Sequence, residues 1–273
     1  MKKNELKVDD MCKDFQRMKQ NKEKIVMVTC YDATMAKIMS GSNIDMFLVG
    51  DSVGMTKLGY ENTLSVTMDD MIHHTKAVAR GTNKDKMVLV SDMPYKSYED
   101  NPHLAVENAK KLIDAGADMV KLEGGTEIIE SVKAIINNGI KIVGHLGLMP
   151  QSIKKMGGYK VQCRDEESQK KLIEDALLLQ KIGVSMIVLE GIPEAIAKTV
   201  TEKLNIPTIG IGAGRYCDGQ VLVSDDLLGM FTDFTPKFVK KYANLAQVIQ
   251  EATAQYSKEV KDGTFPQEVN IYK

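Results

Sequence analysis

Four acidic residues each follow directly on a short apolar run that is typical of a buried β-strand. The runs are related in pairs: residues 46–51 resemble residues 87–92, and residues 109–124 share the pattern A-x-x-L-x-x-x-G-x-x-M-x-x-L-E-G with residues 176–191. Carboxylates that converge repel one another unless something positive lies between them, and oxygen ligands with few histidines favour Mg²⁺. A helix N-cap would explain any one such acid, but four in register favour a metal site. The four are Asp51, Asp92, Glu123 and Glu190.

Lys121 and Glu123 lie two positions apart on one predicted strand, so their side chains point to the same face. If that face looks into a closed barrel, both charges are buried, and buried charges need a partner, a ligand or a metal. A structural ion pair between the two is one interpretation. In the other, Lys121 holds a substrate carboxylate or a developing oxyanion, or forms a Schiff base with a carbonyl substrate.

Three further features could take part in chemistry, each beside a simpler interpretation. His145 ends a predicted strand, where it is either a hydrogen-bonded core histidine or a donor to substrate. Ser52 either caps a turn or donates to substrate. The glycines of residues 210–214 resemble a phosphate cradle, although their spacing is not that of a P-loop and they do not open a dinucleotide-binding unit. The pair Tyr31 and Asp32 is assigned no role.

The elements that must position these residues follow from hydrophobic periodicity and from glycine, proline and capping signals. An amphipathic helix is expected at residues 8–20, ahead of the first strand, and Asp69 is expected to cap the helix after the second. The predicted strands cover residues 25–32, 46–51, 87–92, 119–123, 140–146, 186–190, 207–214 and 220–224. The later helices are predicted at residues 69–81, 102–116, 127–137, 166–182, 193–204 and 240–260.

The chain contains seven clear strand-to-helix units and a weaker eighth. The strands are rich in Val, Ile, Leu and Met, which is typical of parallel strands that are buried on both faces. The sequence therefore predicts an α/β fold of the (β/α)8 TIM-barrel type, with a doubly wound open sheet as the alternative. We expect one domain over residues 1–273, with a helical extension at 1–24 and a closing helix and tail at 236–273.

In such a barrel the active site lies at the C-terminal ends of the strands, where the four acids and His145 fall. Alternate strands share layers of inward side chains, so Glu123 and Glu190 are expected at similar depth. The long connection at residues 147–165 is predicted to be a lid over the site.

Composition excludes several other classes of protein. A net charge of −1, 5% aromatic residues and no tryptophan argue against a nucleic-acid surface. The four cysteines are scattered without metal-site spacing, which indicates reduced thiols in the cytoplasm. The first 24 residues lack the apolar core of a signal peptide, and no apolar run is long enough to span a bilayer. We expect a cytoplasmic protein with no nucleic-acid or membrane partner.

Short strings spread from about residue 25 to 266 resemble the ketopantoate hydroxymethyltransferase family, in the family's order and over nearly the whole chain. This agreement is far more specific than any one motif. The strings are LVGDSVGM (48–55), SDMP (91–94), VKLEGG (120–125), GHLGLMPQS (144–152), GGYKVQ (157–162), VLEGIP (188–193), GIGAG (210–214), DGQVLV (218–223) and PKF (236–238).

The resemblance implies a barrel of the phosphoenolpyruvate/pyruvate-binding superfamily and an enzyme of pantothenate biosynthesis, at its first committed step. It implies transfer of a hydroxymethyl group from 5,10-methylenetetrahydrofolate to 3-methyl-2-oxobutanoate, giving 2-dehydropantoate through a Mg²⁺-stabilised enolate. It also implies a homo-oligomer, a homodecamer in the family.

Residue by residue, the resemblance implies that Asp51 and Asp92 bind Mg²⁺ and that Glu123 completes the metal site, directly or through water. With the two aspartates, Ser52, Lys121 and His145 would bind the substrate. Glu190 would be the proton acceptor. The chain departs from the family at Gly191, at Cys163 and at residues 215–217, and none of these positions carries an assigned role.

Three other functions stay open at this point. One is a Mg²⁺-dependent C–C lyase or phosphonomutase of the same superfamily, which a KKCGH-type lid motif would favour; the sequence has none. Another is a non-catalytic barrel that serves as a scaffold. The third is a Schiff-base aldolase that depends on Lys121 and needs no metal.

Overall fold

Eight parallel strands close into a barrel in chain order, with the last strand paired to the first. The computed structural model describes residues 2–154 and 156–273, with side chains from residue 8 onward. The predicted (β/α)8 barrel is confirmed, and the open doubly wound sheet is excluded. The strands are β1 (Ile25–Thr29), β2 (Met46–Val49), β3 (Val88–Asp92), β4 (Met119–Glu123), β5 (Lys141–Gly147), β6 (Met186–Glu190), β7 (Thr208–Ile211) and β8 (Gly219–Leu222).

Helices follow the strands, and short 3₁₀ turns lie at Thr63–Ser65, Thr126–Ile128, Pro150–Ser152 and Glu268–Asn270. The helices are α1 (Lys2–Asn21), α2 (Ala33–Met39), α3 (Val53–Thr56), α4 (Met68–Gly81), α5 (Pro102–Asp114), α6 (Ile129–Asn137), α7 (Glu166–Lys181), α8 (Glu194–Lys203), α9 (Ser224–Leu227) and α10 (Leu245–Lys261).

The chain divides into two compact units, Met1–Val223 and Ser224–Lys273. The first contains the barrel with α1 to α8, and the second contains α9 and α10. That residues 1–273 form one domain stays a prediction. Within the described residues, no helix is long and apolar enough to cross a membrane.

The strand register fixes which side chains share a level inside the barrel. Following the Cα partners from β1 through all eight strands returns to β1 eight residues earlier in the chain, which is the stagger of a (β/α)8 barrel. Each step to the next strand therefore shifts the level by about one residue, and alternate strands contribute to one layer. Two apolar layers in the lower half of the barrel contain Met46, Met119 and Met186, then Met27, Val90, Val143 and Ile209.

Higher layers become polar toward the C-terminal ends of the strands. Lys121 lies one layer above the layer of Val143. Asp92 and His145 lie in the layer above Lys121. Glu123 and Glu190 share the uppermost layer. The expectation that these two glutamates lie at similar depth agrees with the register. The eight short strands thus build a barrel interior whose lower half is apolar and whose upper half is charged.

Helix α1 covers the N-terminal end of the barrel. Val8 and Phe15 are buried in the same apolar cluster as the inward-facing strand residues. Lys19 Nζ lies 2.7 Å from Asp218 Oδ2 and donates to the carbonyl of Thr201 at 2.8 Å. The predicted helix before β1 is confirmed, and it is longer than the periodicity indicates.

Two helix starts differ from the sequence-based prediction. Thr67, not Asp69, caps α4: its hydroxyl accepts the N–H of Asp70, and the Asp70 carboxylate accepts the N–H of Thr67 in return. Helix α10 begins at Leu245 instead of residue 240, because the N–H groups of Tyr242 and Leu245 donate to carbonyls at the end of α9. No side chain of α10 is buried.

The segment after β1 also differs from the prediction. The strand ends at Thr29, and Asp32 caps the short helix α2 by accepting the N–H of Met35 at 2.8 Å. The sequence predicts neither α2 nor α3, because each spans two turns or fewer and shows too little of the 3.6-residue period.

Candidate active site

The structure brings all the predicted site residues to the C-terminal ends of β2 to β6. Asp92, Glu123 and Glu190 are the last residues of their strands, and Asp51 lies just beyond β2. The buried members are Asp51, Asp92, Lys121, Glu123 and His145, whereas Glu190 is partly exposed. None of the four acids is the N-cap of a helix in the part of the chain that the structure describes, so the capping interpretation does not hold.

Lys121 pairs with the neighbouring strand instead of its own. Its Nζ lies 3.2 Å from Asp92 Oδ1, because the register sets Asp92 and Lys121 side by side. Burial alone would lower the pKa of Lys121, but the charges of Asp92, Glu123 and Asp51 outweigh burial and raise it. The expected pair with Glu123 is therefore not the contact that forms. An amine held protonated is a poor nucleophile, which disfavours the Schiff-base interpretation.

His145 joins the two glutamates of the uppermost layer. Its Nδ1 lies 3.4 Å from Glu123 Oε1, and its Nε2 lies 3.2 Å from Glu190 Oε2. Burial and the Lys121 charge lower the pKa of His145, yet the two glutamates raise it to about 9. Nδ1 also lies 3.1 Å from Lys121 Nζ, a contact that would favour a neutral ring. We assign the imidazolium, because the ring faces two carboxylates and one ammonium.

The carboxylates are crowded in a way that fits a bound cation. Burial, followed by the charges of Asp92 and Glu123, raises the pKa of Asp51 well above its usual range. Burial also raises the pKa of Asp92, against the opposing effect of Lys121. Among the described residues, Asp92 Oδ1 and Glu123 Oε1 are buried and accept no hydrogen bond of good geometry, although they face Lys121 Nζ at 3.2 Å and His145 Nδ1 at 3.4 Å. Carboxylate oxygens are the ligands that Mg²⁺ prefers.

No group of three or more His, Cys, Asp or Glu side chains within residues 2–154 and 156–273 already has the arrangement of a metal site. The donor set fits a hard cation by its chemistry, and the assignment of Asp51, Asp92 and Glu123 to Mg²⁺ stays a prediction.

Two buried residues of the site are absent from the sequence-based prediction. Gln151 Nε2 donates to Asp51 Oδ2 at 2.9 Å, and the Gln151 backbone N–H donates to Glu123 Oε2 at 2.9 Å. The hydroxyl of Tyr98 lies 2.8 Å from Gln151 Oε1 and accepts the backbone N–H of Glu123 at 3.0 Å. Both residues lie in connections without periodicity, and only the string at 144–152 drew attention to Gln151.

Ser52 contacts Tyr31, for which the sequence predicts no role. Its hydroxyl lies 2.8 Å from the hydroxyl of Tyr31, and its side chain does not cap α3. Gly50 keeps this corner open, because a Cβ there would lie 2.9 Å from Ser52 Oγ. The capping interpretation of Ser52 is therefore wrong, and its hydroxyl lies beside Asp51.

The loop predicted as a lid reaches across the acids. Gln151 ties its beginning to Asp51 and Glu123, and the hydroxyl of Tyr159 lies 3.6 Å from Met55 Sδ, after β2. Burial and the charges of Asp51, Glu190 and Glu123 raise the pKa of Tyr159, so the ring lies near the site. Residue 155 lies outside the described residues, and the closing motion stays a prediction.

The glycines after β7 do not form an open phosphate cradle. A Cβ on Gly214, where φ is +81°, would collide with the side chain of Glu194. Glu194 Oε1 accepts the backbone N–H of Arg215 at 3.0 Å and its Nε–H at 2.8 Å. Because a carboxylate of the chain already occupies this turn, it does not favour an anion.

Comparison with known proteins identifies the family. The family model described as ketopantoate hydroxymethyltransferase matches residues 10–268. A 3-methyl-2-oxobutanoate hydroxymethyltransferase of Clostridium botulinum (strain 657 / Type Ba4) is 54% identical over 95% of this chain and 94% of the relative. The enzyme of that name from Syntrophomonas wolfei is 54% identical over 93% of this chain and 92% of the relative.

Solved structures with similar folds have little sequence identity. A phosphonopyruvate hydrolase in complex with oxalate and Mg²⁺ matches with a TM-score of 0.61 at 10% identity, over 96% of this chain and 92% of that one. A 2,3-dimethylmalate lyase of the PEP mutase/isocitrate lyase superfamily matches with a TM-score of 0.59 at 13% identity, over 96% and 91%. These likenesses support the barrel type, and the sequence matches settle the family. The chain belongs to the ketopantoate hydroxymethyltransferase family.

Proposed function

We propose that this transferase moves a hydroxymethyl group from 5,10-methylenetetrahydrofolate to 3-methyl-2-oxobutanoate, giving 2-dehydropantoate, with Mg²⁺ as its cofactor. Membership of the family and the name shared by its relatives support the reaction. The observation that carries the site assignment is the position of Glu190. It is the one partly exposed acid of the four, and it lies 3.2 Å from His145 above the buried set.

Asp51, Asp92 and Glu123 would hold the cation, since they lie at the ends of three neighbouring strands and the charges of Asp92 and Glu123 act on Asp51. Bound Mg²⁺ would supply a Lewis acid that polarises the substrate oxygens and stabilises the enolate. Lys121, protonated beside Asp92, adds a fixed positive charge near the same oxygens. The Ser52 hydroxyl, oriented by Tyr31, would donate to substrate.

Glu190 acts as the general base that removes the proton from C3 of the 2-oxo acid. His145 contacts one of its two oxygens, which leaves the other to face the substrate. The C3–H electron pair then forms the bond to the incoming one-carbon unit. Both C–N bonds of that carbon break, and one water supplies the oxygen and the proton of the new hydroxyl group. The two nitrogens of tetrahydrofolate take the C3 proton held by Glu190 and the other proton of the water.

The resemblance also supports a homodecamer in the cytoplasm. Sedimentation velocity on the purified chain would test the assembly: a species of ten subunits is expected, and a monomer at micromolar concentration would contradict it.

Proton NMR of 3-methyl-2-oxobutanoate in D₂O tests the chemistry. We expect the C3–H signal to disappear with enzyme and Mg²⁺, and 2-dehydropantoate to accumulate after methylenetetrahydrofolate is added. Exchange without product would support the assignment of a base that removes the C3 proton and would reject methylenetetrahydrofolate as the donor. Neither exchange nor product would reject the proposal.

The aldolase alternative has its own test. Borohydride added with the 2-oxo acid should leave the mass of the protein unchanged, whereas a reduced adduct on Lys121 would establish a Schiff base.

A further inference from the structure

Gln151 is the residue through which two acids from different strands are linked. Its side-chain amide and its backbone N–H each donate to a carboxylate oxygen, Asp51 Oδ2 and Glu123 Oε2, both at 2.9 Å. It is buried, and it belongs to the 3₁₀ turn Pro150–Ser152 at the start of the loop over the site. No other described residue donates to both carboxylates in the hydrogen bonds of this site.

The orientation of this amide is determined by its surroundings. Nε2 uses both of its hydrogens, one toward Asp51 Oδ2 and one toward the carbonyl of Met93 at 2.9 Å. Oε1 faces the hydroxyl of Tyr98 at 2.8 Å. A flipped amide would set its oxygen against a carboxylate and a carbonyl, so only one orientation satisfies the groups around it.

The oxygen of Glu123 that Gln151 holds is not the one that faces His145. Glu123 receives the Gln151 N–H on Oε2, while its Oε1 faces His145 Nδ1 at 3.4 Å. Asp92 shows the same division, since Oδ2 accepts the backbone N–H of Asp51 while Oδ1 faces Lys121 Nζ at 3.2 Å. Each of these two carboxylates thus has one oxygen fixed by a backbone N–H and turns the other toward a cationic side chain of the site. Partners of this kind orient metal-binding side chains in other proteins.

We infer that Gln151 is a positioning residue that sets the directions of the Asp51 and Glu123 carboxylates and thereby the affinity of the site for a divalent cation. The inference rests on the proposed function, since the cation is the one proposed above. Tyr98 acts through Gln151 by holding Oε1, and Gln151 also makes the placement of the loop depend on the acids.

Mn²⁺ binding to the full chain, followed by electron paramagnetic resonance of the free ion, tests the inference without turnover. Gln151→Met keeps the shape and removes the donors of the side chain, and we expect Mn²⁺ to bind at least about tenfold more weakly. Tyr98→Phe should weaken binding in the same direction by less.

Gln169→Met is the matched control. The Gln169 amide donates to the carbonyl of Cys163 at the far end of the same loop and contacts no acid of the site. We expect its Mn²⁺ affinity to equal that of the unmodified protein. If it fell as far as that of Gln151→Met, loop anchoring alone would explain both effects and the inference would be overturned.

Two further outcomes separate the inference from the proposed function. Unchanged Mn²⁺ affinity in a folded Gln151→Met variant would overturn the inference and leave the metal site standing. If that variant does not fold, Tyr98→Phe decides by the same criterion. An unmodified protein that binds no Mn²⁺ would remove the cation from the proposed function, and the inference with it.

Discussion

Asp51 shows how much repulsion the site contains before a cation is bound. Its carboxylate is buried and faces Asp92 and Glu123, while only Lys121 and the Gln151 amide oppose that charge. Because these effects raise its pKa in the folded protein, ionised Asp51 opposes folding. The sign follows from linkage: the penalty is present at pH values above the folded pKa and is relieved as the pH falls through it.

Asp51→Asn is therefore expected to stabilise the metal-free protein. At pH 7 in EDTA we expect Tm to rise by about 2–4 °C for each kcal/mol of repulsion removed, and the gain should shrink as the pH is lowered. Differential scanning calorimetry of the variant beside Asp10→Asn, whose side chain is exposed, measures it. A lower Tm for Asp51→Asn at pH 7 would contradict the account of crowded charges.

Asp92→Ala tests the metal assignment at one residue. We expect loss of Mg²⁺-stimulated turnover together with loss of Mn²⁺ binding, because an oxygen ligand and the partner of Lys121 both disappear. Asp10→Ala serves as the surface control. Turnover that still responds to Mg²⁺ in Asp92→Ala would remove this residue from the ligand set.

Glu190→Gln tests the base. The amide keeps the size of the side chain but cannot take a proton, so C3 exchange should fall by about 10²–10⁴-fold while the 2-oxo acid still binds. Calorimetric titration gives the binding and NMR in D₂O gives the exchange, with Glu130→Gln, a surface pair of Lys133, as the control. Exchange at the normal rate would assign the proton transfer to another residue.

At the scale of the elements, the N-terminus of α4 is stabilised by a capping box whose N-cap, Thr67, lies two residues before the predicted cap Asp69. Both Thr67 and Asp70 are needed, since each side chain accepts the backbone N–H of the other. An acidic residue near the start of a helix indicates where the helix begins but not which residue is its N-cap. The N-cap is the residue whose backbone is no longer helical, which here is Thr67.

Thr67→Ala should destabilise the protein by about 1 kcal/mol, with Thr67→Ser close to the unmodified protein. Urea unfolding followed by circular dichroism measures the difference, and turnover should be unchanged because α4 carries no site residue. Equal stability of Thr67→Ala and the unmodified chain would show that the cap contributes nothing.

The sequence predicts all eight strands, because strands that are buried on both faces are continuous apolar runs. Such a run can be recognised from neighbouring residues alone, without knowing its contacts to distant parts of the chain. Most site residues are predictable for a related reason, since the acids end those runs. Tyr98 and Gln151 are different. They lie in connections, and their partners are 25 to 100 residues away in the chain, so only the closed barrel brings them to the acids.

At the scale of the whole molecule, the predicted barrel and the family are confirmed, and the stacking of layers explains how stability and chemistry coexist. Met27, Met119 and their neighbours fill the lower layers, while charged side chains fill the upper ones. The sequence predicts an apolar side for the closing helix, and Val248 and Ile249 on that side are exposed in α10. Periodicity identifies an apolar face but not what covers it.

The closure of the barrel by α1 has a kinetic consequence. Val8 and Phe15 fill one end of the barrel. Reactants of the proposed reaction therefore reach the acids from the opposite end only. Two molecules that share such a closed passage must enter and leave in turn. The proposed function assigns the 2-oxo acid to the buried acids, the deeper position, so we expect ordered steady-state kinetics in which it binds first and 2-dehydropantoate departs last. Product inhibition that is competitive between 2-dehydropantoate and the 2-oxo acid would show this order, whereas a random pattern would mean that the loops open a second route.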